Sequence, residues 1–157
     1  MVATIGEVST ETLPRVAQLL AKTNQFNLTT RRHTAAEIEA MISGGAVALC
    51  MRLADRFGDN GLVGVAIAIG ADVEWKIDTL LLSCRVIGRG AETALLAEVA
   101  ARVKGRLVGE YLPTAKNSLV ADFYPRHGFT PCGEGVWQFD LSKQQLAPPP
   151  FIEIHGS

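Results

Sequence analysis

The chain has 157 residues, 48% of them apolar and 20% charged, which suits a single globular domain with its own core and excludes a disordered or collagen-like polypeptide. Its 15 basic and 16 acidic residues leave a formal charge of -1, so the overall balance draws it to neither nucleic acid nor an anionic membrane, and any basic site must be local. Three scattered cysteines (Cys50, Cys84, Cys132) lack metal-ligand spacing, the start has no leader pattern, and no apolar run reaches the roughly 20 residues of a membrane span; the expectation is a soluble, cytoplasmic protein with no metal.

Residues 3–8 read as an opening strand, and Leu13, Val16, Ala17 and Leu20 follow at helical spacing. The polar run 23–30 has low helix propensity and reads as a loop that ends in Arg31, Arg32 and His33. Thr34-Ala35-Ala36-Glu37 has the form of a capping box, in which the hydroxyl and the carboxylate each satisfy a backbone N–H, so a second helix starts there and stops before Gly44-Gly45. Alternation then takes over. Val47, Leu49, Met51 and Leu53 share one face of a strand, Gly58-Asp59-Asn60-Gly61 reverses the chain, and Val63, Val65, Ile67 and Ile69 line a second strand. A reversal at Gly70-Ala71-Asp72 leads into a third strand over residues 73–84. Residues 91–104 read as a helix closed by Gly105, 106–111 as a strand, 117–126 as a helix and 136–141 as the last strand. The expected fold is α/β (α+β) over residues 1–147: a mixed, mostly antiparallel central sheet flanked by about four helices. Residues 148–157 form an extended tail, because Pro148-Pro149-Pro150 suits neither a helix nor a central strand.

The strongest chemical signal lies behind the third strand. Arg85-Val86-Ile87-Gly88-Arg89-Gly90 joins that strand to a helix opening at Ala91. Such a junction brings successive backbone N–H groups to the positive end of a helix dipole, a ready site for phosphate or pyrophosphate. Gly88 and Gly90 let an anion approach without a Cβ in the way, and Arg85 and Arg89 add charge. There is no GxxxxGK[ST] and no GxGxxG behind a first strand, so triphosphate and dinucleotide cradles are excluded. A strand-to-helix turn that holds nothing is the plain alternative.

Arg85-x-x-Gly88-x-Gly90 resembles the R/Q-x-x-G-x-G/A loop of the GNAT superfamily, which in that family holds the pyrophosphate of acyl-CoA. Asn117 followed by Phe123-Tyr124-Pro125-Arg126-His127-Gly128-Phe129 resembles the family's N…FYxxxGF segment. TNQFNLTTRR, DRFGDNGLVGV, IDTLLLSCRVIGRG and PTAKN are similar to the C-terminal GNAT-like domain of FkbH-like proteins, a likeness that covers nearly the whole chain. Those proteins join a HAD-type phosphatase-like domain to the GNAT-like one and load a glyceryl unit onto an acyl carrier protein in polyketide and related biosynthesis. The 157 residues hold no HAD domain, so its phosphate chemistry and thioester-forming cysteine are not carried over. The resemblance implies an acyltransferase domain that receives a phosphopantetheine thioester, as acyl-CoA or acyl carrier protein, at residues 85–91 (Arg85, Val86, Ile87, Gly88, Arg89, Gly90, Ala91) with Asn117. A conventional acetyl-CoA dependent N-acetyltransferase and a non-catalytic carrier-protein docking module are the other readings, the latter serving a separate HAD partner.

Tyr124 matches the family tyrosine that protonates the departing thiolate, which makes it the candidate general acid; its other role is to pack beneath the sheet. Asp78 and Glu74, four apart on the third strand and so on one face, are candidates for the base, or else solvated or salt-bridged carboxylates. Cys84 is expected to be a buried structural thiol rather than a nucleophile. The stretch 23–32 either lines the acyl pocket or fixes its own shape by hydrogen bonds, and Arg31 and Arg32 either meet an acidic carrier protein or are solvated. His33, His127 and His155 show no metal-ligand pattern.

Overall fold

In the computed structural model, which describes residues 1–156, the chain runs β1 (Val2–Glu7), α1 (Leu13–Lys22), α2 (Ala35–Ser43), β2 (Val47–Asp55), β3 (Gly58–Ala71), β4 (Glu74–Leu82), α3 (Ala91–Arg102), β5 (Arg106–Glu110), α4 (Phe123–Arg126), β6 (Thr130–Gly133), β7 (Val136–Asp140) and β8 (Glu153–Gly156). The strands form one sheet in the order β6-β7-β5-β4-β3-β2-β1-β8. All neighbours are antiparallel except β4 with β5 and β1 with β8. A parallel pair needs a crossover, and α3 supplies it between β4 and β5. The mixed sheet with four helices is the architecture the alternating and helical patterns imply. No helix among the described residues is long and apolar enough to cross a membrane.

Both faces of the sheet are buried. Leu13, Val16, Leu19 and Leu20 of α1 and Ile38 of α2 pack with Cys50, Val65, Ile67 and Leu81 on one face. Leu95, Leu96 and Val99 of α3, with Phe123 and Tyr124 of α4, pack with Leu49, Met51, Leu80 and Leu82 on the other. α2 opens on the capping box read from the sequence: Thr34 Oγ1 accepts from Glu37 N–H and Glu37 Oε1 from Thr34 N–H. These bonds, the backbone one foremost, hold the Glu37 carboxyl below its usual range.

Two expectations need correction, and two strands carried no legible pattern. The β2–β3 reversal falls at Arg56-Phe57, and Gly58 and Gly61 lie inside β3; Gly61, at φ +73°, sits at a register irregularity between Arg52 and Ala54 that needs a left-handed residue. The expected helix over residues 117–126 is instead a 3₁₀ turn (Ser118–Val120) followed by the four-residue α4. Pro125 is the reason: in mid-helix it would remove a backbone bond, whereas restarting the helix at Phe123 places it in a first turn. β6 carries Pro131 and Gly133 and is exposed throughout, so it gave no periodic signal; it is an edge strand. Residues 153–156 of the tail add to the sheet as β8 beside β1, after Pro148-Pro149-Pro150 have crossed the surface; Ser157 lies outside the described residues.

Candidate active site at the parting of two strands

β4 and β5 pair in parallel from Glu74 opposite Arg106 to Ile77 opposite Gly109. On its other side β4 pairs with β3, and there Thr79 faces Ile67 while Ile77 faces Ala68, so Asp78 is an extra residue, a β-bulge. A bulge bends its strand and re-aims its side chain. Past Asp78 the strands part: β4 runs on to Leu82 and β5 stops at Glu110. Asp78 and Glu110 therefore stand at the apex of a notch.

On the α3 side of the apex lies Tyr124. Its ring covers Gly109, where any Cβ would overlap it, and it packs against Phe123 and Phe129 at centroid distances of 5.2 and 4.9 Å. Gly109 is thus required by close approach and not by its own dihedrals. Tyr124 is 1% exposed and its hydroxyl has no hydrogen-bond partner among the described residues. Burial, and after it the negative charge of Glu110, raise its phenol far above the ordinary tyrosine range. Such a phenol surrenders its proton reluctantly, but it is a donor without an acceptor.

The other side of the apex holds a charged cluster. Asp78 Oδ2 accepts from Thr79 Oγ1 at 2.9 Å and lies 2.8 Å from His33 Nε2, and Asp78 Oδ1 lies 3.4 Å from Arg31 Nη1. Arg31 also pairs with Glu110, and Lys76 Nζ is 3.6 Å from the same Glu110 oxygen. Thr29 Oγ1 donates to the bulged carbonyl of Asp78 at 2.9 Å. Of the two carboxylates picked from sequence, Asp78 is here and Glu74 is not: Glu74 sits at the start of β4, its side chain 65% exposed and paired with Arg106. The bulge breaks the alternation on which their shared face depended. His33 and Glu110 were not singled out as site residues, because strand order and the path of the 23–33 loop bring them to Asp78 and no spacing in the sequence does.

At the far end of β4, residues 85–90 form the expected junction. Gly88 and Gly90 both take φ +82°, and the first bond of α3 runs from Ala94 N–H to Gly90 O at 3.2 Å, so the N–H groups of Ala91, Glu92 and Thr93 have no intrahelical acceptor. Val86 is fully buried and anchors the loop. Arg89 is paired with Asp55 at the end of β2, which holds the Asp55 carboxyl below its usual range. Arg85 is exposed, held only by Ser83 Oγ 3.3 Å from its Nε. It borders a cleft of about 830 Å³ that also takes in Arg15, Lys22 and Lys116, four cations with no acidic residue among the lining side chains. Cys84, expected to be buried, is exposed on this cleft because β4 ends at Leu82 and the chain turns outward in a 3₁₀ turn.

The notch between cleft and apex is occupied by the chain itself. Leu28 N–H donates to Leu80 O at 3.2 Å, Leu82 N–H to Phe26 O at 3.0 Å, and Leu112 N–H to Leu28 O at 2.9 Å, so residues 26–28 lie as a strap against the free edge of β4. Asn117 holds it. Its Nδ2 donates to Asn27 O and Leu112 O, both at 3.0 Å, and its Oδ1 accepts from Thr114 N–H at 2.7 Å. The polar stretch 23–32 thus fixes its own shape by hydrogen bonds, and its residues 26–28 lie along the notch.

The fold as a whole has counterparts in solved structures. The ribosomal-protein-S18-alanine N-acetyltransferase of Escherichia coli superposes with a TM-score of 0.66 over 95% of this chain and 98% of its own, at 14% identity. The chain has the GNAT fold. A GNAT family N-acetyltransferase of Escherichia coli in complex with CoA matches 98% of this chain and 88% of its own with a TM-score of 0.62 and 15% identity. Ard1 of Thermoplasma volcanium matches 87% and 94% with a TM-score of 0.65 and 16% identity. No family model matches the sequence, and no curated protein matches it. The cleft and the 85–90 junction lie beyond the C-terminal end of β4, and Tyr124 with the charged cluster at its middle around Asp78, with the strap between them.

Proposed function

We propose that this protein is an acyltransferase that takes its acyl group from a phosphopantetheine thioester. The observation that carries the reading is the orphan hydroxyl of Tyr124, buried over Gly109 at the last paired residue before the strands part. A buried O–H without an acceptor is costly, about 1–3 kcal/mol, and is retained where a ligand supplies the acceptor. A thioester sulphur at the apex, becoming thiolate as the acyl group leaves, is such an acceptor. Because burial disfavours tyrosinate, Tyr124 acts as a hydrogen-bond donor that steadies the departing sulphur rather than as an acid that gives its proton away. The phosphates of the donor rest on the N–H groups opening α3, with Arg85 beside them. GNAT-fold neighbours with CoA bound support a donor of the CoA type.

The finer reading is that the thioester is carried by an acyl carrier protein, in an FkbH-like system that works with a HAD-type partner. Arg15, Lys22, Arg85 and Lys116 around the cleft suit the acidic face such a carrier presents. One observation favours a second reading, a docking module without chemistry: the strap fills the path from cleft to apex.

Calorimetric titration with acetyl-CoA, CoA and a phosphopantetheinylated carrier protein, with thioester turnover followed in parallel, separates these readings. Binding with turnover supports transfer, and a preference for the carrier supports the FkbH-like reading. Carrier binding without turnover establishes docking. Absence of binding to all three refutes the donor site.

A further inference from the structure

We infer that His33, held by Asp78, is the base that accepts the proton of the attacking amine; this rests on the acyltransferase reading and assigns it a catalytic residue. Asp78 cannot take that proton itself. Its Oδ2 is occupied by His33 Nε2 and Thr79 Oγ1, and its Oδ1 faces Arg31. Glu110, the other carboxylate at the apex, is engaged by two cations, Arg31 and Lys76. One basic nitrogen remains. With Nε2–H donated to Asp78, His33 Nδ1 carries a lone pair and has no partner among the described residues. A carboxylate that fixes an imidazole's tautomer and stabilises the imidazolium is the arrangement that makes histidine a base.

The placement fits the reaction. Tyr124 belongs to the core on the α3 side of the sheet, and His33 directly precedes α2 on the other. At the parting of β4 and β5, an amine approaching from the α2 side meets a thioester carbonyl held from the α3 side at the apex. The amine nitrogen bonds to the carbonyl carbon and passes one proton to His33 Nδ1. The carbon–sulphur bond breaks, and the sulphur leaves with the electron pair under the Tyr124 hydroxyl. The proton held by His33 is the one the free thiol requires, so amide and thiol form with no net gain or loss. Asp78 is then a positioning residue, and the capping box immediately after His33 fixes where the imidazole stands.

Protonating His33 removes the lone pair, so turnover should fall as pH is lowered. The charged groups around the ring are Asp78, Arg31 and Glu37, with Glu110 and Lys76 behind Arg31.

The test uses acetyl-CoA as donor, and benzylamine or water alone as acceptor, over a range of pH. His33→Gln should lower kcat/KM about 100-fold or more and abolish the acidic limb, with acetyl-CoA affinity unchanged. His33→Ala should regain turnover when free imidazole is added, a rescue that a structural role would not give. An unchanged pH profile in His33→Gln overturns the assignment while leaving the transferase reading intact; failure of the unaltered protein to bind acetyl-CoA, CoA and a phosphopantetheinylated carrier alike overturns that reading instead. Imidazole nitrogen NMR of the unaltered protein needs no turnover: a neutral ring protonated on Nε2 supports the assignment, and one protonated on Nδ1 refutes it.

Discussion

Replacing Tyr124 with phenylalanine separates what its ring does from what its hydroxyl does. The ring fills the space over Gly109 and touches Phe123 and Phe129, and phenylalanine keeps those contacts. The hydroxyl is buried without a partner, so deleting it should stabilise the free protein by about 1 kcal/mol. Thioester turnover should meanwhile fall about 100-fold, the scale on which a single donor to a developing anion acts. Urea unfolding and turnover assays on the same variant check both directions; a variant that loses stability and keeps its rate would show that the hydroxyl serves the fold. The two arginines of the phosphate junction should also part company. Arg85→Ala should weaken CoA binding about ten-fold, because its guanidinium is free to reach an anion, whereas Arg89→Ala should mainly lower the melting temperature by orphaning Asp55. The folded-state pKa of Asp55 is depressed by Arg89, so the pair's contribution is present above the ordinary carboxylate range and disappears as pH falls through the depressed value. Tyr124, Asp78 and the junction were legible because each rests on a local motif or strand. His33 was not: its distance to Asp78 is set by a loop and a bulge.

A bulge, a strap and a strained residue together shape the notch. Sequence showed the ends of the strap as a polar run and Asn117 as a motif residue, but alternation along residues 73–84 gave no sign that Asp78 is extra, since a bulge leaves the apolar count of a strand unchanged. Beside the strap Thr30, a β-branched residue, sits at φ +53°, which costs about 1 kcal/mol or more. The strap therefore carries local strain, offset by bonds from Leu28, Leu82 and Leu112 and by Asn117. A pantetheine arm lying along β4 competes for the same edge at Leu80 and Leu82. When acetyl-CoA is added to saturation, the amide protons of Leu28 and Leu112 should lose protection against hydrogen exchange while that of Leu82 keeps it, because Leu82 only changes its acceptor. Retained protection at all three would mean that the donor is held at the cleft and never enters the notch, which is the docking reading. Thr30→Gly should relieve the strain, stabilise the strap and weaken acetyl-CoA binding.

Over the whole molecule the two parallel pairs have different places: β4 and β5 part in the interior of the sheet, at the candidate site, while β8 beside β1 covers one edge. The proline run concealed β8 from pattern reading, since four residues after a surface crossing carry too little alternation to register as a strand. Yet the tail contributes buried material: Ile152 is 5% exposed, Ile154 packs against the core, and Glu153 N–H donates to Met1 O at 2.9 Å. On its way the tail sets Phe151 against Gly90, where a Cβ would collide with the ring. Ending the chain after Ala147 should cost about 2 kcal/mol for Ile152 alone, lower the melting temperature by roughly 5 °C, and leave β1 as an open edge prone to association. Its effect on the phosphate junction should be small, because the left-handed turns at Gly88 and Gly90 belong to the glycines and the buried Val86 anchors the loop from beneath. Acetyl-CoA affinity should thus stay within about two-fold in the shortened chain at a temperature where it remains folded, and also in Phe151→Ala. If instead both variants lose affinity together while only the first loses stability, the ring of Phe151 is part of the anion cradle, and the tail belongs to the site as well as to the sheet.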